Sequence, residues 1–221
     1  MTLPKRLETL FAFYPAVHGA AIAASSIWFV RTLEPAAFLT TVFVTYLLSP
    51  LIWKTMKVFF GKKTEGAFYI GKHAKGGNIW LVSYQLQSVY SHFPFIERAL
   101  RLLPGAYSSW LRMWGSKIGR KVNWTPECQI VDRGYLEIGD RAFIGNRSYF
   151  SAHVLKKTDN RYFLYVKRIQ IGSDTMISYS AHVSPGVVIG NRVHVEPGAE
   201  LYPNAQVAEG EKVAYERMAR N

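Results

Sequence analysis

One cysteine, Cys128, is all the chain contains. It therefore cannot form an intrachain disulfide or a cysteine metal cluster, a usage that fits a reducing compartment. Acidic residues are also scarce: 15 Asp and Glu stand against 27 Lys and Arg, a formal net charge of +12 over 221 residues. An excess of that size calls for an anionic neighbour, whether nucleic acid, lipid headgroups or a phosphorylated ligand. Apolar material is not lacking. Hydrophobic residues make up 49% and aromatics 14%, which excludes a disordered chain and supplies a core for one or two domains.

Charge is missing altogether from residues 10–30 (LFAFYPAVHGAAIAASSIWFV), where His18 is the one titratable side chain able to carry a positive charge. At 1.5 Å per residue such a run reaches about 31 Å, enough to cross a bilayer. A second uncharged run, residues 35–53, follows after only Arg31-Thr32-Leu33-Glu34, so the two predict an antiparallel transmembrane hairpin over residues 1–60. Two other readings stand beside it. Lys5, Arg6 and the small residues at 20–26 suit a cleaved signal peptide, against which count the length of the run and the span that follows at once. Pro15, Pro50 and the small residues would also suit a hairpin buried in a soluble protein. For a membrane hairpin, Lys5 and Arg6 before it and Lys54, Lys57, Lys62 and Lys63 after it place both termini on the cytoplasmic side of an inner membrane, as a multi-pass protein.

Residues 61–77 (GKKTEGAFYIGKHAKGG) read as a basic loop near headgroups. Their Gly-Lys pairs lack the spacing of a phosphate-binding loop. The remainder of the segment 61–116 carries Trp80, Tyr84, Tyr90, Phe93, Phe95, Tyr107, Trp110 and Trp114 between Pro94 and Pro104. That density predicts amphipathic helices at a membrane interface, or equally a helical collar packed against the next domain.

Beyond Trp114 the sequence repeats every six residues. Ile171, Ile177, Val183, Ile189, Val195, Leu201 and Val207 follow at that spacing, with small residues such as Ala181, Ala199 and Ala205 two places before the next aliphatic. Six residues advance an α-helix by about 600°, which would scatter these side chains around its surface. The economical solution is a coil with three flat faces, one hexapeptide to each, with aliphatics inward and Gly or Asn at corners of unusual dihedral. An earlier stretch, Ile118, Trp124, Ile130 and then Ile138, Ile144, Phe150, repeats the pattern with a two-residue slip that predicts a bulge.

The run Ile138-Gly139-Asp140, Ile144-Gly145, His153, Ile169-Gln170-Ile171-Gly172 and Val183-Ser184-Pro185-Gly186-Val187-Val188-Ile189-Gly190 resembles the hexapeptide-repeat acyltransferases. It looks closest to the membrane-associated module at the carboxyl end of poly-lysine-synthetase-type peptide synthetases. The resemblance covers roughly residues 111–207. It implies a mainly β protein, a left-handed parallel β-helix over residues 117–208. A short capping helix at 209–221 completes the expected organisation. The family also implies a homotrimer with its active sites between subunits, and a thioester donor, acyl-CoA or an acyl-carrier protein, bound in a groove between coils. No bound metal or prosthetic group is expected.

Between Phe150 and Ile171 the spacing is not a multiple of six, so a loop, residues 155–167, must leave the coil, and loops that interrupt a regular scaffold commonly carry function. His153 stands at its root. In similar acyltransferases a histidine near an excursion is the general base, and an imidazole titrating near neutrality suits that task. With three hexapeptides per coil, the unit at Ile130 stacks on the unit at Phe150, which places Asp132 near Ala152 and His153 as an orienting partner. Asp159 and Glu127 are weaker candidates. A corner aspartate bonding its own backbone and a corner histidine satisfied by solvent or backbone remain open for the pair. Lys156, Lys157, Arg161, Lys167 and Arg168 in and beside the loop, with Arg192 farther along, offer phosphate contacts to the donor, or a solvated, membrane-facing basic loop. The cationic surface is thereby assigned to bilayer, donor, an acidic carrier protein or a membrane biosynthetic complex rather than to nucleic acid.

The reading that follows is a membrane-anchored acyltransferase acting on a hydroxyl or amine of a lipid-linked, sugar or amino-acid-derived acceptor. Two alternatives are a membrane-tethered β-helix scaffold without activity and a zinc β-helix carbonic anhydrase. The latter needs three histidines, for which His153, His182 and His194 supply the number.

Overall fold

Hexapeptide patterning produces strands of only two or three residues, because the chain turns a corner after each inward aliphatic. The computed structural model describes residues 3–61, 64–70, 78–158 and 161–215, without the side chains of Thr158 and Arg161. It divides into two units, one of helices up to Ile96 and one holding residues 65–70 and the chain from Glu97 on.

In the first unit, α1 (Lys5–Phe11) leads into α2 (Tyr14–Thr32). Leu33 adopts a left-handed conformation that ends α2, and Pro35 opens α3 (Pro35–Val42) at a position where its missing N–H costs nothing. A π-helical turn, Phe43–Leu47, joins α3 to α4 (Leu48–Phe60). Around that turn a ring nitrogen of His18 lies 2.8 Å from the Val44 carbonyl, and the Tyr90 hydroxyl donates to the Thr45 carbonyl at 2.8 Å. Lys5–Thr32 and Pro35–Phe60 are long and apolar enough to cross a membrane by length and composition. α5 (Ile79–His92) packs on α2 and α4 and is largely buried, with Trp80 and Tyr90 inside.

The second unit begins with helices α6 (Phe95–Arg101), which starts at the unit boundary, and α7 (Ala106–Trp114). Tyr107, Trp110 and Trp114 are buried. Trp80 and Tyr90 are likewise buried in the first unit, whereas Tyr84, Phe93 and Phe95 are exposed. α7 packs on the start of the coil, where Trp124 donates its indole N–H to Ser108 at 2.8 Å.

The chain order of strands from there is β1 (Gly66–Ile70), then a first coil of β2 (Lys117–Ile118), β3 (Asn123–Trp124) and β4 (Gln129–Ile130). A second coil has β5 (Leu136–Ile138), β6 (Phe143–Ile144) and β7 (Tyr149–Phe150). The excursion is β8 (His153–Thr158) and β9 (Arg161–Val166). The coil resumes with β10 (Ile169–Ile171), β11 (Met176–Ile177), β12 (His182–Val183), then β13 (Val188–Ile189), β14 (His194–Val195), β15 (Glu200–Leu201), and finally β16 (Gln206–Val207) and β17 (Lys212–Val213). Parallel pairing stacks them into three sheets, ordered β16-β13-β10-β5-β2, β17-β14-β11-β6-β3 and β15-β12-β7-β4. This is a three-sided parallel β-helix. Its core is the stacked inward side chains, among them Ile144, Phe150, Ile177, Val183 and Val195, each 0% or 1% exposed and each contributing about 1.5–3 kcal/mol by burial.

Three expectations are corrected. Lys212–Val213 pairs with β14, so the coil runs past Val207 and no capping helix starts at 209; residues 216–221 lie outside the described part. The interruption, expected as a loop over residues 155–167, is a hairpin, β8 against β9, whose first strand begins at His153 itself. Part of the supposed basic loop, Gly66–Ile70, is a strand that pairs with β9 to complete a three-stranded antiparallel sheet. Its partner is nearly a hundred residues distant, so no local pattern announces it.

The glycines after the inward aliphatics also serve a different end from the one expected. A Cβ on Gly119, Gly139 or Gly172 would stand 2.5 Å from backbone atoms of the next coil. They permit coils to stack closely. The left-handed positions of that corner are instead Lys121, Arg141, Asp174 and Arg192, with φ between 55° and 57°.

Candidate active site

The slip and the excursion fall at the same corner of the coil. Between β4 and β5 the first coil makes its bulge, and between β7 and β10 the second coil sends out the hairpin. Later turns of that corner are regular, Ser184-Pro185-Gly186 and Tyr202-Pro203-Asn204. Gln129 pairs with Tyr149 and Ile130 with Phe150, so Asp132, two residues on, comes to rest beside Ala152 and His153.

Asp132 is 2% exposed in its side chain and His153 18%. Asp132 Oδ2 accepts the backbone N–H of Ala152 at 2.8 Å and lies 2.7 Å from His153 Nδ1. Ser151, not among the residues expected at the site, completes the arrangement: its hydroxyl donates to the His153 carbonyl at 2.8 Å, and its Oγ lies 3.3 Å from Nδ1. With its proton so committed, Ser151 Oγ faces Nδ1 as an acceptor, and a carboxylate can only accept. The network therefore assigns the proton of the neutral ring to Nδ1 and the basic lone pair to Nε2. A ring so held, partly exposed, can take a proton from a bound group at Nε2 while Asp132 stabilises the imidazolium.

The tetrapeptide Ser-Ala-His-Val occurs twice, and the coil separates the two copies by phase. His153 follows its inward residue, Phe150, by three positions, at the corner. His182 immediately precedes an inward residue, Val183, and projects from the face of β12 with its ring 5.7 Å from that of Tyr149. His194 Nε2 lies 3.1 Å from Ser178 Oγ. Among the described residues, no group of three or more His, Cys, Asp or Glu is arranged to hold a metal ion.

Other candidates disperse. Glu127 is at a different corner, accepting from Arg147 at 2.9 Å and Asn146 at 3.0 Å; the Arg147 hydrogen bond holds its carboxyl below the usual range. Asp159 lies outside the described residues, as does the side chain of Arg161. Lys156 and Lys157 are exposed on β8. Lys167 donates to Asn204 at 2.9 Å. Arg168 is tied to Glu65 at 3.5 Å and to the Leu136 carbonyl at 3.2 Å. Arg192 pairs with Glu209. A groove of about 720 Å³ runs over the outer face of β2, β5, β10 and β13 between Lys117, Glu137, Gln170 and Val188 and does not include the Asp132–His153 pair.

No family model and no curated protein matches the chain. Among solved structures it is similar to a hexapeptide-repeat acetyltransferase of Vibrio cholerae complexed with acetyl coenzyme A, at 17% identity over 59% of this chain and 84% of that one, TM-score 0.43. A maltose O-acetyltransferase of Clostridium difficile is similar at 10% identity over 55% and 79%, TM-score 0.40. Serine acetyltransferase isoform 3 of Entamoeba histolytica, in complex with cysteine, is similar at 14% identity over 80% and 72%, TM-score 0.29.

Proposed function

We propose that the protein is a membrane-anchored acyltransferase in which His153 is the general base. The observation that carries this reading is the 2.7 Å approach of Asp132 Oδ2 to His153 Nδ1, at the one corner where both the first and second coils break their period. In the reaction, Nε2 takes the proton from an acceptor hydroxyl or amine as its oxygen or nitrogen attacks the carbonyl of an acyl thioester. The new ester or amide bond forms, the carbon–sulfur bond breaks, and the imidazolium returns the proton to the leaving thiolate. Neither a metal nor a prosthetic group enters this scheme.

Lys156 and Lys157, exposed on the strand that begins at His153, are the cations we assign to the phosphates of a coenzyme A donor or to an acidic carrier protein. Arg161 shares the hairpin. Arg168 and Arg192 already have acidic partners and are secondary. A homotrimer, left-handed in its coil, is the assembly we assign.

For the membrane anchor, the support is the outward apolar surface of the first unit. Only 11% of the apolar window of Lys5–Thr32 and 28% of that of Pro35–Phe60 is buried. Leu10, Phe13, Val17, Val30 and Leu39 are each more than 60% exposed. A hairpin built for a soluble core would hide these faces. An anchored enzyme implies an acceptor or donor that is partly lipidic, with the coil on the cytoplasmic side.

The test is purified full-length protein with acetyl- and long-chain acyl-CoA and a panel of lipid-linked, sugar and amino-acid acceptors, following free thiol and product mass. His153→Ala should lower kcat/KM by about 10²–10⁴-fold with the melting transition retained. Undiminished transfer in that variant would remove His153 as the base.

A further inference from the structure

We propose that the buried Glu97–Arg133 pair is a positioning device for Asp132, and through it for the His153 ring. The idea rests on the acyltransferase reading for its kinetic arm alone. The bulge between β4 and β5 gives up the regular ladder, so its backbone must be held by other means. Val131 N–H donates to Phe150 O at 3.0 Å, but the Val131 carbonyl accepts from the Arg133 guanidinium at 3.3 Å. The Arg133 carbonyl accepts from Ser116 at 2.7 Å, and the same hydroxyl oxygen accepts from Leu136 N–H at 2.9 Å. Asp132 is thus pinned by the residue on either side of it, and the Arg133 side chain supplies one of the two pins.

Arg133 is itself fixed by Glu97 of α6. Glu97 also accepts from Arg101 and from the Tyr107 hydroxyl, each at 3.3 Å, and Arg101 donates to the Pro126 carbonyl at 2.6 Å. The side chains of Glu97, Arg101 and Arg133 are 7%, 5% and 3% exposed. Burying three ions is a poor route to stability, since apolar residues of similar volume commonly do as well or better. What ions add is direction: a guanidinium fork fixes the plane in which it binds. The charges also balance, Glu97 and Asp132 against Arg101 and Arg133, when Asp132 is ionised, the state that holds Nδ1–H.

The experiment compares the full-length wild type, Glu97→Gln and the double variant Glu97→Leu/Arg133→Met. It reads melting temperature, kcat and KM for an acyl-CoA, and the imidazole ¹⁵N signals of His153, assigned by their loss in His153→Gln. Positioning predicts that the double variant melts near the wild type while kcat falls by about ten- to a hundredfold. KM should hold, and the His153 signals should lose their Nδ1–H character. Glu97→Gln, which keeps volume and a hydrogen bond, should show the same shifts in smaller degree and decides the matter if the double variant does not fold. Unchanged ¹⁵N signals in a folded variant would overturn the inference. An active His153→Ala would overturn the proposed base instead, leaving the ¹⁵N result to judge the positioning.

Discussion

One oxygen of Asp132 serves two neighbours, the backbone N–H of Ala152 at 2.8 Å and the Nδ1 of His153 at 2.7 Å, so the same atom fixes the corner and the ring that stands on it. Asp132→Asn separates the two roles. An amide oxygen can keep one of these bonds, but the amide carries no charge to stabilise an imidazolium and its nitrogen offers a donor where Nδ1–H needs an acceptor. We expect kcat to fall by about 10²-fold or more with KM for the donor little changed. Steady-state kinetics of the folded variant check this; wild-type turnover would leave Asp132 as a structural corner residue.

The glycine ladder makes a sharper stability prediction. A methyl group on Gly172 would lie 2.5 Å from Asn191 N and from Gly190 C and O, whereas Gly210, at φ +72°, has nothing within 4 Å. Gly172→Ala must push coils apart and should cost at least about 1–3 kcal/mol. Gly210→Ala meets only backbone strain, about 1–2 kcal/mol. Thermal melts should place Gly172→Ala below Gly210→Ala, and the reverse order would refute close stacking as the reason for the ladder.

The coil was legible because its inward residues recur without a gap from Ile171 to Val207, and the stacking rule that follows led from Ile130 and Phe150 to Asp132 beside His153. What stayed hidden was set by distance or by phase. Gly66–Ile70 finds its partner in Arg161–Val166, too far along the chain for any local signal. Lys212–Val213 continues the coil with a lysine on its outer face and Tyr215 beyond, a composition that resembles an ordinary polar end. Glu97 and Arg133, 36 residues apart, meet inside the protein, and single charged residues in a sequence default to the surface. The repeated Ser-Ala-His-Val string contains Ser151, but only the phase of the coil tells its copy from that around His182 and brings its hydroxyl to His153.

Exposure on the first unit leads to a test of the anchor. Val17, Val30, Val58 and Phe59 are between 62% and 81% exposed. In a bilayer these side chains would face lipid at no cost, whereas in water each leaves apolar surface exposed. The expressed protein should stay with the membrane pellet after alkaline carbonate washing and enter solution with detergent. Recovery of a monodisperse protein without detergent would contradict the anchor.

Alkaline pH should weaken the second unit through two buried groups, Cys128 and Tyr107. Burial pushes the Cys128 thiol up from 9.0 to about 11. Burial, aided by the negative charge of Glu97, raises the Tyr107 hydroxyl well above 10.0. A group whose folded pKa exceeds its unfolded value stabilises the fold fully below the unfolded pKa and loses that contribution as pH rises through the folded one. For Cys128 the window is therefore about pH 9 to 11, and two pKa units correspond to roughly 3 kcal/mol. Tyr107 extends the loss upward. Chemical denaturation between pH 7.5 and 11 should show stability falling beyond pH 9. Cys128→Ala removes the thiol and should flatten the lower part of that slope while Tyr107 keeps the upper part. Native Cys128 should also resist alkylation at pH 8, since it is both buried and un-ionised, and become reactive on unfolding. A slope unchanged in Cys128→Ala, or rapid labelling of the folded protein, would show that Cys128 is not the buried thiol described.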